Sequence, residues 1–243
     1  MAGSLIVVMI STLVALVMLR IEALAPGRQW PHVAGWWWRA LTFNAVQVGI
    51  VWMAGITWDC WMIRHRFWSI DRLGVLGGAI VGYVVITFGS YWWHRWRHKS
   101  SFLWRWFHQL HHSPQRIEVA TAFYKHPFEA LTNSLLFSAV LYLLLGLAPP
   151  AASATALMLG VVELFYHWNV KTPRWLGFIV QRPESHCIHH QSGLHTYNYS
   201  DLPVWDMLFG TFRNPPRWEG RCGFGKQEHS SWQMLRGFDV GAR

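Results

Sequence analysis

Eight of the fourteen histidines fall in three short groups: His94 and His98, then His108, His111 and His112, then His186, His189 and His190. On a helix, residues three and four apart share a face, so each group would aim its imidazoles into one small volume. Neutral imidazole is the commonest protein ligand for metals and suits iron, copper, nickel and zinc. One histidine beside a membrane reads most simply as an interfacial polar residue. Three groups at these spacings read together as a metal site. Eight ligands exceed what one ion takes, so two ions are implied, in a nearly all-imidazole shell because no carboxylate lies within the groups.

Further ligands are sought where apolar helices end. His167 closes the last apolar stretch, and Glu163 stands one turn earlier on the same face. A carboxylate that deep in an apolar helix is costly unless paired or metal-bound. Glu163 therefore reads either as a ligand or as a group holding a ligand imidazole by its other nitrogen. His126 is another candidate ligand, the alternative being a helix-start residue before Pro127. His32, His65, His195 and His229 stand apart and read as non-ligands. Cys187 reads as packing, and three unevenly spaced cysteines argue against a disulfide framework.

The elements that must carry these residues are apolar. Hydrophobic residues make up 52% of the 243, charged residues only 14%, and 18 are Trp, which places the chain in a membrane. Residues 5–25, 40–63, 73–93, 130–147 and 151–168 are long stretches for spanning about 30 Å of hydrocarbon, the last two near the lower length limit. Residues 5–25 lack a basic leader and read as a retained helix. Gly74, Gly77, Gly78 and Gly82 predict close helix contact. Pro149 and Pro150 split the last two stretches into a hairpin, and the proline-rich 169–243 reads as a cap outside the membrane. The expectation is an all-α bundle of about four to five membrane helices or hairpins with a helical cap carrying the di-metal site. Residues 1–72 form an N-terminal membrane region and 73–243 the catalytic region.

The formal charge of +9 fits basic membrane-flanking loops and needs no nucleic acid. If the spans alternate, segments 26–39, 94–129 and 169–243 share one side and hold 17 of the 21 Lys and Arg residues. The positive-inside rule then puts every histidine group in the cytoplasm, in a cell inner membrane or an ER-like membrane.

The ordered series resembles the fatty acid hydroxylase / sterol desaturase superfamily of integral-membrane di-iron oxygenases. The likeness runs from about residue 80 to 212. It includes Tyr91-Trp92-Trp93-His94-Arg95, His108-Gln-Leu-His-His-Ser113, His126-Pro127-x-Glu129, His167-x-Asn169, His186-x-x-His-His, Asn198-Tyr199 and Trp205-Asp206 through Gly210-Thr211. The resemblance implies two iron ions that activate O2 to hydroxylate a lipid C–H bond, or to desaturate it; zinc is a substitute in purified material. It carries ligand roles to His94, His98, His108, His111, His112, His186, His189 and His190, with His167. Some relatives have a histidine where this chain has Glu163.

Such chemistry needs a dry cavity, which a lipid chain could enter laterally from the bilayer. Trp92, Trp93, Trp96, Trp104, Trp106 and Phe107 read as an interfacial belt or an entrance wall. Arg95, Arg97, Lys99 and Arg105 read as headgroup contacts, docking points for an acidic electron donor, or anchors. No haem-attachment or nucleotide fingerprint is present, so the two electrons are expected from a separate reductase or carrier. Asn198 reads as hydrogen-bonding a metal-bound water or a ligand, or as a turn residue. A metal transporter would place polar residues at the bilayer midplane, and a haem protein needs fewer imidazoles.

Overall fold

Helix α1 (Ala2–Leu24) carries apolar residues around its whole circumference, as a helix facing lipid does, with Arg20 and Glu22 its only charges, both in the last turns. The computed structural model describes residues 2–240, apart from the side chains of residues 2–4, Gln227 and His229. The expectation that His229 is a non-ligand lies outside the described residues. Helix α2 (Trp36–Ile56) starts after Gly35, whose φ of 67° is a left-handed turn that glycine adopts without strain. It breaks at Thr57 and continues as α3 (Trp58–Arg64).

Helix α4 (Gly74–Lys99) ends in Arg97 and Lys99, cations that suit the negative end of its dipole. Beyond it come α5 (Ser101–Leu103), a π-helical stretch (Trp104–His108) and α6 (Gln109–His112). Helices α7 (Pro127–Ser138) and α8 (Pro149–His167) both start with proline, which needs no hydrogen-bond donor in the first turn. Helix α7 runs on as a π-helical segment, Ala139–Leu144. The cap holds α9 (Pro183–His189), α10 (Pro203–Leu208), α11 (Ser231–Leu235) and a 3-10 turn, Arg174–Phe178.

The described residues are helical, with one isolated β-bridge between Gln191 and Cys222. Five segments are long and apolar enough to cross a membrane: Leu5–Leu24, Trp36–Arg64, Asp71–Lys99, Pro127–Leu144 and Pro149–His167. The protein is an integral membrane protein of the expected all-α class. The fourth span starts at Pro127 rather than residue 130, because His126 caps the helix there by accepting the Phe128 N–H at Nδ1, 3.1 Å.

Helices α4 and α8 make the closest pair. A Cβ on Gly82 would sit 2.5 Å from Thr155 Oγ1, and one on Gly78 would sit 2.9 Å from the Ala151 Cβ, so only glycine lets the backbones meet. Helix α1 packs on α8, and α2 on α7. The buried Glu22 fixes α1 by accepting the backbone N–H groups of Val119 (3.2 Å) and Asn169 (3.0 Å).

Candidate metal centre

Nine buried or half-buried histidines converge where α4, α6, α8 and α9 end. They form two groups: His94, His98, His108, His112 and His189 in one, His111, His167, His186 and His190 in the other. Within each, one ligand nitrogen per residue lies within 4.8 Å of all the rest. Each His-x-x-His-His stretch is divided between the groups. His108 and His112 face one and His111 the other; His186 and His190 face the second and His189 the first. At about 100° per residue, i+4 is displaced from i by about 40° and i+3 by about 60° the opposite way. One helix stripe thus addresses two adjacent volumes.

Six of the nine rings are held by their outward nitrogens. His94 Nδ1 lies 2.7 Å from the Tyr199 carbonyl, His189 Nδ1 2.8 Å from that of Tyr197, and His167 Nδ1 2.8 Å from that of Glu163. His111 Nδ1 is 3.3 Å from the Tyr124 carbonyl. His108 Nδ1 reaches the Glu129 carboxylate at 3.1 Å, and Glu129 also pairs with the buried Arg97. Gln181 satisfies its surroundings with Oε1 toward His186 Nδ1 (2.6 Å) and Nε2 toward the Ser200 and Asn198 carbonyls.

With Nδ1–H donating outward, Nε2 carries the lone pair and faces inward. His108 Nε2 lies 2.8 Å from that of His94 and 3.0 Å from that of His112. His186 Nε2 lies 3.0 Å from those of His167 and His190. Lone pairs this close repel unless a cation lies among them. His98 Nε2 and His189 Nε2 are buried with no hydrogen-bond partner. The donor set therefore fits two metal ions, and imidazole suits iron and zinc alike.

Burial first, and then the cost of gathering like charges among crowded imidazoles, holds His108, His111, His112, His186 and His190 well below the ordinary imidazole range, with Arg97 adding to it at His108 and Lys125 at His111. Burial lowers His189 to about 3, against the opposing pull of its Tyr197 hydrogen bond. The rings are neutral at physiological pH, as ligation requires.

The structure brings together the eight box histidines and His167. Glu163 instead pairs with Lys125, and its backbone carbonyl, rather than its carboxylate, meets the His167 ring. His126 serves as the α7 cap, with Nε2 3.3 Å from the Leu235 carbonyl. Asn198 takes the turn role: at φ 48° it donates to the Ser185 carbonyl and accepts the Arg213 N–H.

Four neighbours of the histidines take places that the sequence reading did not give them. Glu129 orients His108; it belongs to the His126-Pro127-x-Glu129 likeness, which gave it no role. His195, expected to stand apart, is buried with Nδ1 3.1 Å from His112 Nδ1 at a strained φ of 40°; no spacing rule links residues 83 apart. Trp104 is buried, its ring centroid 5.3 Å from those of His98 and His112, so it belongs neither to a lipid belt nor to an entrance. Arg97, expected at the surface, lies inside because Glu129 neutralises it.

A cavity of about 560 Å³ leads away from the histidines between α1, α2, α7 and α8. Its lining follows α7 and the π-helical segment after it from Glu129 to Tyr142, roughly 20 Å at 1.5 Å per residue. The walls are mostly apolar. At one end they meet His94 and His108 of one group and His111 and His186 of the other.

A family model described as fatty acid hydroxylase matches residues 79–211, more than half of the chain. An ornithine lipid hydroxylase of Rhizobium tropici is 36% identical over 63% of this chain and 47% of its own length. The human alkylglycerol monooxygenase is 31% identical over 52% of this chain and 28% of its own. Sphinganine C4-monooxygenase 1 of Arabidopsis thaliana is 27% identical over 55% and 53%. The chain thus spans about half or less of the length of these relatives. No solved structure matches.

Proposed function

The chain belongs to the fatty acid hydroxylase family, and on that footing we propose that it is a membrane-bound di-iron oxygenase that hydroxylates a C–H bond of an amphiphilic lipid. The observation that carries this reading is the apolar cavity ending on histidines of both groups. The overall reaction consumes O2, two electrons and two protons, and yields an alcohol and water. His94, His98, His108, His112 and His189 would hold one iron, and His111, His167, His186 and His190 the other. Bound iron supplies the activation of O2.

The remainder falls to the polypeptide. The apolar walls bind a lipid chain and exclude water, and chain entry from the bilayer between helices requires no opening of the cap. Glu129, Gln181 and the carbonyls of Tyr197 and Tyr199 hold the rings in one tautomer and orientation. The Lys125–Glu163 pair lies on the cavity wall beside His111 and His186, where it can meet a polar substituent near the reacting carbon. The relatives named above act on ornithine lipid, alkylglycerol and sphinganine, which supports a lipid with a polar head close to the oxidised position. The preponderance of Lys and Arg on the histidine side supports a cytoplasmic site. Residues 73–243, which carry all nine histidines, form the catalytic region, and a separate protein supplies the electrons.

The test is lipid profiling of cells with and without the gene under 18O2. A lipid gaining one labelled oxygen is the expected product; one losing two hydrogens without label would identify a desaturase instead. Metal analysis of His108→Ala and His189→Ala should show fewer than two ions per chain, and an unchanged content would overturn the two-ion assignment.

A further inference from the structure

Two short helical segments of the cap each expose an apolar stripe at i, i+3 and i+4. In the turn Arg174–Phe178 and its next residue, Trp175, Phe178 and Ile179 are exposed; in α10, Val204, Met207 and Leu208 are. The segments pack against each other, so the stripes lie on neighbouring elements. A cap standing clear in water would bury such residues.

The height of α10 against the bundle explains them. Trp205 Nε1 donates to Thr87 Oγ1 at 3.1 Å, and the Ser200 hydroxyl donates to the Thr87 carbonyl at 3.3 Å. The Phe88 ring meets Trp205 edge-on, centroids 5.0 Å apart. Thr87 and Phe88 lie inside the Asp71–Lys99 span, roughly 8 Å below the level of Trp93 at 1.5 Å per residue. On α4, Leu76, Ile80, Val84 and Phe88 form an exposed apolar row of the kind that faces lipid. Through Trp205 that row continues onto α10. Lys171, Arg174 and Arg213 are exposed beside the two stripes in sequence, where cations complement anionic headgroups.

We propose that the segment from Arg174 to Ile179 and helix α10 are seated in the bilayer leaflet on the histidine side, their apolar stripes among the acyl chains and the flanking cations at the headgroups. The depth matches the 5–10 Å typical of interfacial helices. The cap is therefore part-immersed, rather than outside the membrane as its proline-rich sequence suggests. The seat also bears on the metal centre. Asp206 of α10 accepts the N–H groups of Tyr199 (2.8 Å) and Ser200 (3.0 Å), and the Tyr199 carbonyl holds His94. The inference rests on the membrane span of α4 and is independent of the catalytic reading.

Spin labels test it on the full chain in phospholipid nanodiscs. They are attached at Phe178→Cys, Leu208→Cys and, as a control on an exposed cap residue, Arg217→Cys, each in a Cys60→Ser background; Cys187 and Cys222 are buried. Dissolved oxygen partitions into acyl chains and a nickel chelate stays in water. The expected result is relaxation by oxygen exceeding that by the chelate at 178 and 208, with the order reversed at 217. Chelate access at 178 and 208 equal to that at 217 would place the stripes in water. Exclusion of both reagents at 178 and 208 would mean a protein surface covers them. Either result overturns the proposal.

Discussion

Replacing Glu129 by Gln separates two roles that one carboxylate combines. Its side chain is 1% exposed, it neutralises Arg97, whose side chain is 7% exposed, and it accepts from His108 Nδ1. The amide is isosteric but uncharged, so Arg97 becomes a buried cation without a counter-ion, a loss of about 3–5 kcal/mol. Independently, His108 loses the carboxylate that fixes its tautomer. Loss of such a partner weakens metal affinity about 10–100-fold, equivalent to about 1.4–2.7 kcal/mol. Chelator competition on the purified protein should show one ion released more readily and the other unchanged, since Glu129 touches His108 and no histidine of the second group. Adding Arg97→Met to Glu129→Gln removes the unpaired charge, so thermal stability should largely recover while metal affinity does not. A wild-type competition curve for Glu129→Gln would refute the orienting role, and unchanged thermal stability would refute the buried pair.

Gly82→Val should destabilise the protein by about 1–3 kcal/mol in thermal unfolding, because the added Cβ meets Thr155 Oγ1. In metal-free protein, burial lowers His189 to about 3 and His195 to about 4, below the unfolded value of about 6.5. The unfolded chain then takes up protons first, so unfolding midpoints should be flat above pH 6.5 and fall from there toward pH 3. His195→Phe should weaken binding at the five-histidine group about 10–100-fold in chelator competition, with His195→Asn restoring part of it. Glu163→Gln should keep both ions by metal analysis while costing about 1–3 kcal/mol through the lost Lys125 pair.

The membrane class and the metal-binding residues were legible because both are written in local patterns: apolar length for the spans, i, i+3 and i+4 spacing for the histidines. The small residues of α4 also foretold the close approach at Gly78 and Gly82, but not at Gly74, where an added Cβ meets nothing within 4 Å, or at Gly77, where it meets only Leu73 at the start of the same helix. What stayed hidden depends on contacts between distant segments. Whether Glu163 pairs with a metal or with Lys125 is decided by the 38 residues that bring Lys125 alongside. His195 looked unremarkable because its partner lies 83 residues away. Trp104 and Arg97 sit in a stretch that resembles an interfacial belt by composition, and only the turn through Trp104–His108 carries the indole inward. The division of the histidines into five and four was implicit in helix geometry, yet it needed the relative placement of α4, α6, α8 and α9.

That division makes the two centres mechanically reciprocal. Each His-x-x-His-His turn lends two rings to one group and one to the other, from opposite flanks of a single rigid stripe. Rolling α6 or α9 about its axis to tighten one group must draw a ring away from the other. A roll of α6 or α9 therefore sets both apertures at once. Helix α4, by contrast, carries rings of the five-histidine group alone and α8 carries only His167 of the other, so a shift of either of those helices adjusts one centre and leaves its neighbour.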